Sequence, residues 1–467
     1  MSNDRLARPM TKDEGRIHPS SFVLRPSSFV VLIVAAYLVI GTLYAVKTPA
    51  WQVPDEPAHY NYVRYIVEHR ALPVLRPGDY DQKYIERFAT PENTSHLSIA
   101  PLRYESWQPP LYYVLATPIY LATNGSLLAL RLFSVALGGL LIVVAFLIVR
   151  QIAPGSPTLA LGATAFVAFV PQHVAMMAGA QNDGVAELLL AVIVLQISSI
   201  GTVWLKPDEH AKYQISKSRW VALGVLLGLA LLTKGTIYIA VPLVAVAIWL
   251  AYRSQSAPRK WTWLIRRGIL VFVPALILGS LWWIRNIAVY GWPDFLVSIR
   301  HTAVVVGQPT SAEWVAQYGG GYLLQHFFTV TFQSFWGQFG WMGVPMPPRY
   351  YTALGALSLV ALAGCVWAAA PRLKSILADI RIQFLGAWGV LTVLVYIYYN
   401  TTFVQHQGRY LFPALIPIGL MFTVGLRQWT RLLPRAWRDV ALAVPFAALA
   451  ALDLIALFRM IVPTLTR

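Results

Sequence analysis

Charge is scarce in this chain: Asp, Glu, Lys and Arg make up 12% of its 467 residues, against roughly 25% in soluble globular domains. So little charged surface excludes an ordinary water-soluble fold. Cysteine is scarcer still, with Cys365 alone in an apolar run. This rules out an intramolecular disulfide and a multi-cysteine metal centre, and leaves helix packing as its role. Internal repeats, low-complexity tracts and soluble-domain boundaries are also missing. The apolar run at 28–46 is too long for a signal-peptide core, and no small-residue cleavage pattern precedes "PAWQVPDEP", so it reads as a retained first span.

What is present is apolar: 57% of the residues are hydrophobic, in repeated runs of about 20, the length that crosses a hydrocarbon core of roughly 30 Å. The expected fold is all-α, a polytopic transmembrane helical bundle. Eleven spans are read near 28–47, 127–149, 157–178, 184–204, 219–232, 235–251, 268–290, 351–371, 382–399, 409–427 and 440–462. Residues 1–27 read as a flexible cytoplasmic tail, and 28–467 as a single transmembrane domain with large outer loops at 48–108 and 291–350. The short apolar segment "QPPLYYVLATPIYLA" at 108–122 is expected to be interfacial or re-entrant. A full crossing there would turn the basic clusters at 253–267 and 427–438 outward, against the positive-inside rule. With an inside N-terminus, most of the net charge of +17 falls on inside-facing segments. The excess is therefore topogenic and does not point to nucleic acid.

This topology brings scattered polar motifs to one outer face: "PDEPAH" at 54–59, "QND" at 181–183, "TKG" at 233–235, "RN" at 285–286 and "QHQGRY" at 405–410. Ionisable groups near hydrocarbon are costly and mark either a functional path or a paired structural contact. Asp55 and Glu56 lie between Pro54 and Pro57, which restrict the backbone and discourage a regular helix across the pair. A carboxylate placed there can deprotonate an acceptor hydroxyl or amine, best where desolvation raises its pKa. The plainer reading makes Asp55 a helix N-cap. His59 would share its face on a helix starting at Pro57 and orient the acid.

Asp183, beside Asn182, reads either as a helix cap or as a second acid that holds a sugar hydroxyl, an acceptor or a divalent cation with Asp55. Lys234 interrupts some thirty apolar residues at an outer turn. With Arg285 and Arg409 it can surround a phosphate, and Arg131 is a weaker fourth cation. Snorkelling is the alternative for any one of them. The Trp-, Tyr- and Gly-rich loop at 316–343 reads as an interfacial belt or a surface that stacks on sugar.

In this order, "PDEPAH", "QND", "LLTKG", "WWIRN" and "QGRYLFPALIP" resemble the GT-C superfamily of integral-membrane glycosyltransferases, near the protein O-mannosyltransferase and lipid A aminoarabinose transferase branch. The likeness extends to bacterial members that carry "PDEPAH". The resemblance spans residues 54–417. It implies a sugar donor linked to polyprenyl phosphate, no nucleotide, and a lipid, glycan or protein acceptor on the extracytoplasmic face of the inner membrane. It also implies that Asp55 serves as base, seconded by Glu56. His59, Asn182, Asp183, Gln407 and Tyr410 would bind substrate, while Lys234, Arg285, Arg409 and Arg131 would hold the donor phosphate. Inverting transfer fits this arrangement; no cofactor is certain, a divalent cation is the one candidate, and metal dependence stays open. The chain stops soon after its last span, at Arg467, so acceptor recognition is expected from the two outer loops. A lipid-linked sugar flippase, or a non-catalytic partner in polysaccharide assembly, is the competing class. The absence of half-to-half similarity speaks against a transporter.

Overall fold

A computed structural model describes residues 26–89, 97–199, 216–254 and 261–466. Almost all of the expected N-terminal tail, residues 1–25, lies outside the described residues. The apolar runs form helices because the backbone groups of a membrane-embedded segment must bond within that segment. Among the described residues, eight helices are long and apolar enough to cross a membrane: Ser28–Lys47, Leu127–Ile152, Gly235–Arg253, Trp261–Tyr290, Pro348–Ala378, Ile380–Asn400, Gly408–Thr430 and Arg435–Leu465.

The count of eleven is not confirmed. The expected span 157–178 is broken into Pro157–Phe169 and Pro171–Met177, bent by 62°. Pro171 supplies no N–H and disfavours helical backbone at Val170, which is extended at φ −76 and ψ 116. Counting that pair as one span gives nine. The span expected at 219–232 corresponds to a helix of 15 residues, Lys217–Leu231, shorter than the roughly 20 that cross a bilayer, and the one expected at 184–204 is helical over Asp183–Ser199, its last residues lying outside the described ones. The segment at 108–122 forms a helix of only 12 residues, Leu111–Ala122.

We label the first eight helices α1 (Pro26–Lys47), α2 (Glu56–His69), α3 (Gln82–Ala89), α4 (Leu111–Ala122), α5 (Leu127–Ile152), α6 (Pro157–Phe169), α7 (Pro171–Met177) and α8 (Asp183–Ser199). Helix α5 packs on α1, α6 and α8, and the helix Leu415–Thr430 packs on α6 and on Pro348–Ala369. That last contact is close because it is made by glycines. A Cβ on Gly425 would lie 1.8 Å from the Ala361 carbonyl oxygen, and one on Gly364 would lie 2.1 Å from that of Gly425. Such small-residue seams let helices touch backbone to backbone where lipid offers no hydrophobic drive to association. Cys365 sits on the same seam, its Sγ donating to the Met421 carbonyl at 2.8 Å.

The two large loops are themselves structured. The first holds α2, α3 and a 3-10 turn, Tyr104–Trp107. The second holds helices Ser298–Val304, Ser311–Tyr318 and Gly320–Trp336 and an antiparallel hairpin that pairs Gln338 with Pro345 and Phe339 with Val344. They meet directly: Trp341 Nε1 donates to the Trp51 carbonyl at 2.9 Å, and Arg300 Nε donates to that of Leu75 at 3.3 Å. These contacts set the entry to α2, where the acidic pair lies.

Candidate functional site

Two adjacent acids take opposite directions here, and a single backbone angle explains it. Asp55 stands just before α2 with φ 66 and ψ −10, in the left-handed region. A non-glycine residue persists there only when surrounding contacts over-determine it, and such strain gathers at functional sites. The helix begins at Glu56, and Pro57 fits its first turn because the N–H it lacks would be unpaired there anyway. The expectation that the prolines keep the pair out of a helix therefore fails at Glu56.

Glu56 is fully buried and faces the bundle. Arg131 of α5 grips it with two parallel bonds, Nε to Oε1 at 2.8 Å and Nη2 to Oε2 at 2.6 Å. The amides of Trp51 and Ala180 also donate to Glu56, each at 3.1 Å. The rest of the Arg131 guanidinium donates to the carbonyls of Ala45 (3.0 Å), Thr48 (2.7 Å) and Pro49 (3.0 Å). This pair ties the end of α1 and the start of α2 to α5. Among the described residues neither side chain bonds Asp55, Asp183, Lys234 or Arg409.

Asp55 has the N-cap position without the N-cap bond: its side chain makes none to the helix. Instead Tyr104 donates its hydroxyl to Oδ1 at 2.9 Å, and Arg409 Nη2 donates to Oδ2 at 2.7 Å. Burial pushes the Asp55 carboxyl up, but the Arg409 charge and the bonds from Arg409 and Tyr104 outweigh it. The net result lies below the usual carboxylate range. The expectation that desolvation raises Asp55 is thereby corrected. His59 does not orient the acid either. Its Nδ1 shares a hydrogen bond of 2.8 Å with the Tyr113 hydroxyl. Burial, then the Lys234 charge, depresses its pKa to about 3, so the imidazole is neutral.

Asp183 opens α8, and its Oδ1 is bonded by Lys234 Nζ. Lys234 is extended, at φ −161, between the helix Lys217–Leu231 and a 3-10 turn, Gly235–Ile239. The turn carries the ammonium to the same face as Asp55. Arg409 bears on both Asp55 and Asp183 by its charge, and Lys234 bears on Arg409. Two ion pairs thus share one cluster. Arg409 is set by Gly408, where a Cβ would lie 2.3 Å from the Phe335 nitrogen and whose N–H donates to Ser334 Oγ at 2.7 Å. The late 3-10 strap, Gly408–Ala414, therefore runs tight against the helix Gly320–Trp336.

Other expected residues lie nearer or farther. Tyr410 is hydrogen-bonded to Arg409 and packs against the rings of Tyr396 and Tyr399. Buried Asn182 donates to the Thr233 carbonyl at 3.4 Å, beside Lys234. Gln407 holds Gln405 Oε1 at 2.6 Å. Arg285 does not join Lys234 and Arg409. Its guanidinium donates to the Pro73 carbonyl and to Asn286 Oδ1 and lies against the rings of Trp282 and Tyr290. No group of three His, Cys, Asp or Glu side chains suited to a metal occurs among the described residues.

Sequence reasoning missed Tyr104 and Glu105. Glu105 is buried, and among the described residues its Oε2 has no hydrogen-bond partner. Burial, then the Asp55 charge, raises its pKa to about 7, against the pull of Lys234, Gln108 and Arg409. The signal was an acid set inside the aromatic stretch "RYESWQPPLYY", an expensive placement unless it is used.

Residues 67–418 match the family described as predicted membrane protein (DUF2142). A stretch of 86 residues is 29% identical to the undecaprenyl phosphate-alpha-4-amino-4-deoxy-L-arabinose arabinosyl transferase of Erwinia tasmaniensis, 18% of this chain and 14% of that protein. The Archaeoglobus fulgidus oligosaccharyltransferase tethered to an acceptor peptide superposes with a TM-score of 0.54 at 13% identity. The match covers 96% of this chain and 55% of that one. ArnT from Cupriavidus metallidurans bound to undecaprenyl phosphate gives 0.50 at 15% identity, over 94% and 74%. The chain thus spans about half the length of the oligosaccharyltransferase it resembles. The likeness carries the GT-C fold implied by the motifs. With the family match covering most of its length, the chain belongs to the predicted membrane proteins of DUF2142, built on a GT-C fold.

Proposed function

We propose that this protein is a glycosyltransferase that moves a sugar from a polyprenyl-phosphate-linked donor to a lipid, glycan or protein acceptor, at the extracytoplasmic face of the inner membrane. The observation that carries the reading is the cluster in which Arg409 and Lys234 pair with Asp55 and Asp183. It provides cations for a phosphate and acids for a hydroxyl side by side. Among the described residues the buried Nε of Arg409 has no partner, and a phosphate oxygen would satisfy it. The names of the two relatives support the donor class, one acting with undecaprenyl phosphate-arabinose and the other bound to undecaprenyl phosphate.

In the proposed reaction the lipid tail lies between helices, and the donor phosphate rests against Lys234 and Arg409. Asp55 accepts a hydrogen bond from the incoming hydroxyl and orients it toward the opposite side of the anomeric carbon, which inverts the configuration. Negative charge grows on the departing phosphate, and fixed cations in a partly buried site stabilise it without reorganising. Asn182, Asp183, His59, Gln407 and Tyr410 shape the sugar and acceptor subsites. Glu56 and Arg131 hold the Asp55 segment in place, and Arg285 braces the first outer loop. Asp55 and Asp183 each already have a cationic partner, and no step is routed through a metal.

The test is transfer by purified protein from a panel of radiolabelled polyprenyl-phosphate sugars to membrane extracts. Label in product with at least one donor is expected. Donor moved across sealed vesicles with no label transferred would favour the flippase. A cysteine placed at Gln407 that reacts only from the cytoplasmic side would refute the proposed face. Within this reading, Lys234→Met should weaken donor binding about 10-fold or more, since a charged hydrogen bond is worth about 1.5–3 kcal/mol. Unchanged binding, with the thermal melt also unchanged, would remove Lys234 from phosphate recognition.

A further inference from the structure

The two ion pairs account for two of the acids in the cluster and leave a third. Glu105 lies in the 3-10 turn Tyr104–Trp107, whose first residue bonds Asp55. The turn is thereby tied to the site. The charges of groups from three other elements bear on Glu105: Asp55 at the start of α2, Lys234 from the turn after Lys217–Leu231, and Arg409 from the late strap. Tyr113 of α4 and Tyr399 of the helix Ile380–Asn400 also feel its charge. Its nearest aid is a side-chain hydrogen bond from Gln108. Among the described residues no Lys, Arg or His forms an ion pair with it, and Oε2 is buried without a partner.

We infer that Glu105 is a further catalytic residue of the proposed transfer, the group whose Oε2 accepts the proton of the acceptor hydroxyl or amine. An unpaired buried carboxylate oxygen is an unusual cost for a fold to carry, and a proton or a hydrogen-bond donor relieves it. Asp55 is a poor rival for this task. Both of its oxygens are engaged, and Arg409 keeps it charged, which suits it to orientation. Glu105 has its proton affinity near neutrality, where a general base works best.

The step balances. The acceptor oxygen forms a bond to the anomeric carbon while its proton passes to Glu105 Oε2. The bond from that carbon to the phosphate oxygen breaks, its electron pair leaves with the phosphate, and Lys234 and Arg409 meet the charge. Glu105 then releases the proton to water. Sign follows from the chemistry: the carboxylate is the active form, so transfer should rise with pH through about 7 and level off above it.

The inference rests on the glycosyltransferase reading, and the experiment separates the two. Full-length protein and its Glu105→Gln and Glu105→Asp variants would be compared in transfer rate from pH 5.5 to 8.5, in donor binding, and in infrared titration of protonated carboxyl bands. Glu105→Gln should melt and bind donor as the parent does, lose about 10²-fold in rate, and lose both the acid limb of the profile and a carboxyl band that titrates near neutrality. Glu105→Asp should restore part of the rate with a displaced limb, and it serves if the Gln variant does not fold. A Gln variant within a few fold of the parent at every pH, or one that keeps the same inflection, overturns the inference. If the parent transfers from no donor, the earlier reading fails alone, and the infrared titration still decides: a parent with no Glu105 band near neutrality overturns the proton-acceptor role.

Discussion

Asp55→Asn should reduce transfer by about 10³- to 10⁴-fold while the protein folds and binds donor as before. The substitution keeps nearly the same shape and can still accept from Tyr104, but it removes the charge paired with Arg409. Two losses combine. The incoming hydroxyl loses a charged acceptor that orients it, and positioning of reactants is among the largest catalytic terms. The transition state also loses a fixed negative charge beside the sugar, where positive character develops. Donor binding should hold or tighten, because Arg409 is left without its internal carboxylate and a phosphate can take the place. Transfer rates and donor affinities of parent and variant decide the matter. A variant turning over within a few fold of the parent would leave Asp55 as a structural residue and take the catalytic meaning out of "PDEPAH". Donor binding lost together with turnover would point instead to collapse of the Asp55–Arg409 link.

Arg131→Met should destabilise the protein by about 3–5 kcal/mol, the usual cost of breaking a buried ion pair by removing one partner. Glu56 would lose its cationic partner in a place with no exposure and have only the two backbone amides of Trp51 and Ala180 to hold it. The carbonyls of Ala45, Thr48 and Pro49 would lose their donors as well. The turn that sets Asp55 into its left-handed conformation depends on these bonds, so activity should fall with stability. Thermal melting in detergent reads the effect. The double change Arg131→Leu with Glu56→Leu should recover part of the loss, because a buried pair replaced by well-packed apolar side chains is often nearly neutral. An unaltered melting temperature for Arg131→Met would mean that the pair does not anchor α2. Glu56→Gln should likewise act through stability, in contrast to Asp55→Asn, whose effect lies in turnover.

Class and gross architecture were legible in the chain because they rest on local quantities. A run of apolar residues commits its backbone to a helix in lipid whatever its neighbours are. The first span, the long helix at 261–290 and the late pair at 380–400 and 408–430 therefore appear near where the pattern places them. The motifs "PDEPAH", "QND", "TKG" and "QGRY" were recognisable too, since ionisable groups at the ends of apolar runs are rare. Even the span count, however, depended on more than composition: Pro171 bends its segment by 62°, and the helix Lys217–Leu231 stops short of a bilayer's thickness.

Which charges meet was decided only in three dimensions. Asp55 and Arg409 are 354 positions apart, Lys234 and Asp183 are 51 apart, and Glu56 finds Arg131 across 75. No local pattern distinguishes the Arg that reaches the cluster from Arg285, which settles on the Pro73 carbonyl and two aromatic rings. The acidic pair shows the reason most clearly. In sequence Asp55 and Glu56 are neighbours with the same chemistry. One left-handed residue followed by a helix start turns one toward Arg409 and buries the other under Arg131. Proton affinity follows the same rule, because it sums burial against charges from several segments. Arg409 and Tyr104 hold Asp55 down, whereas Glu105, with no ion-pair partner among the described residues, is raised. Helix formation in lipid is settled by each segment's own backbone, whereas the identity of a reacting acid depends on fields that only the packed bundle assembles.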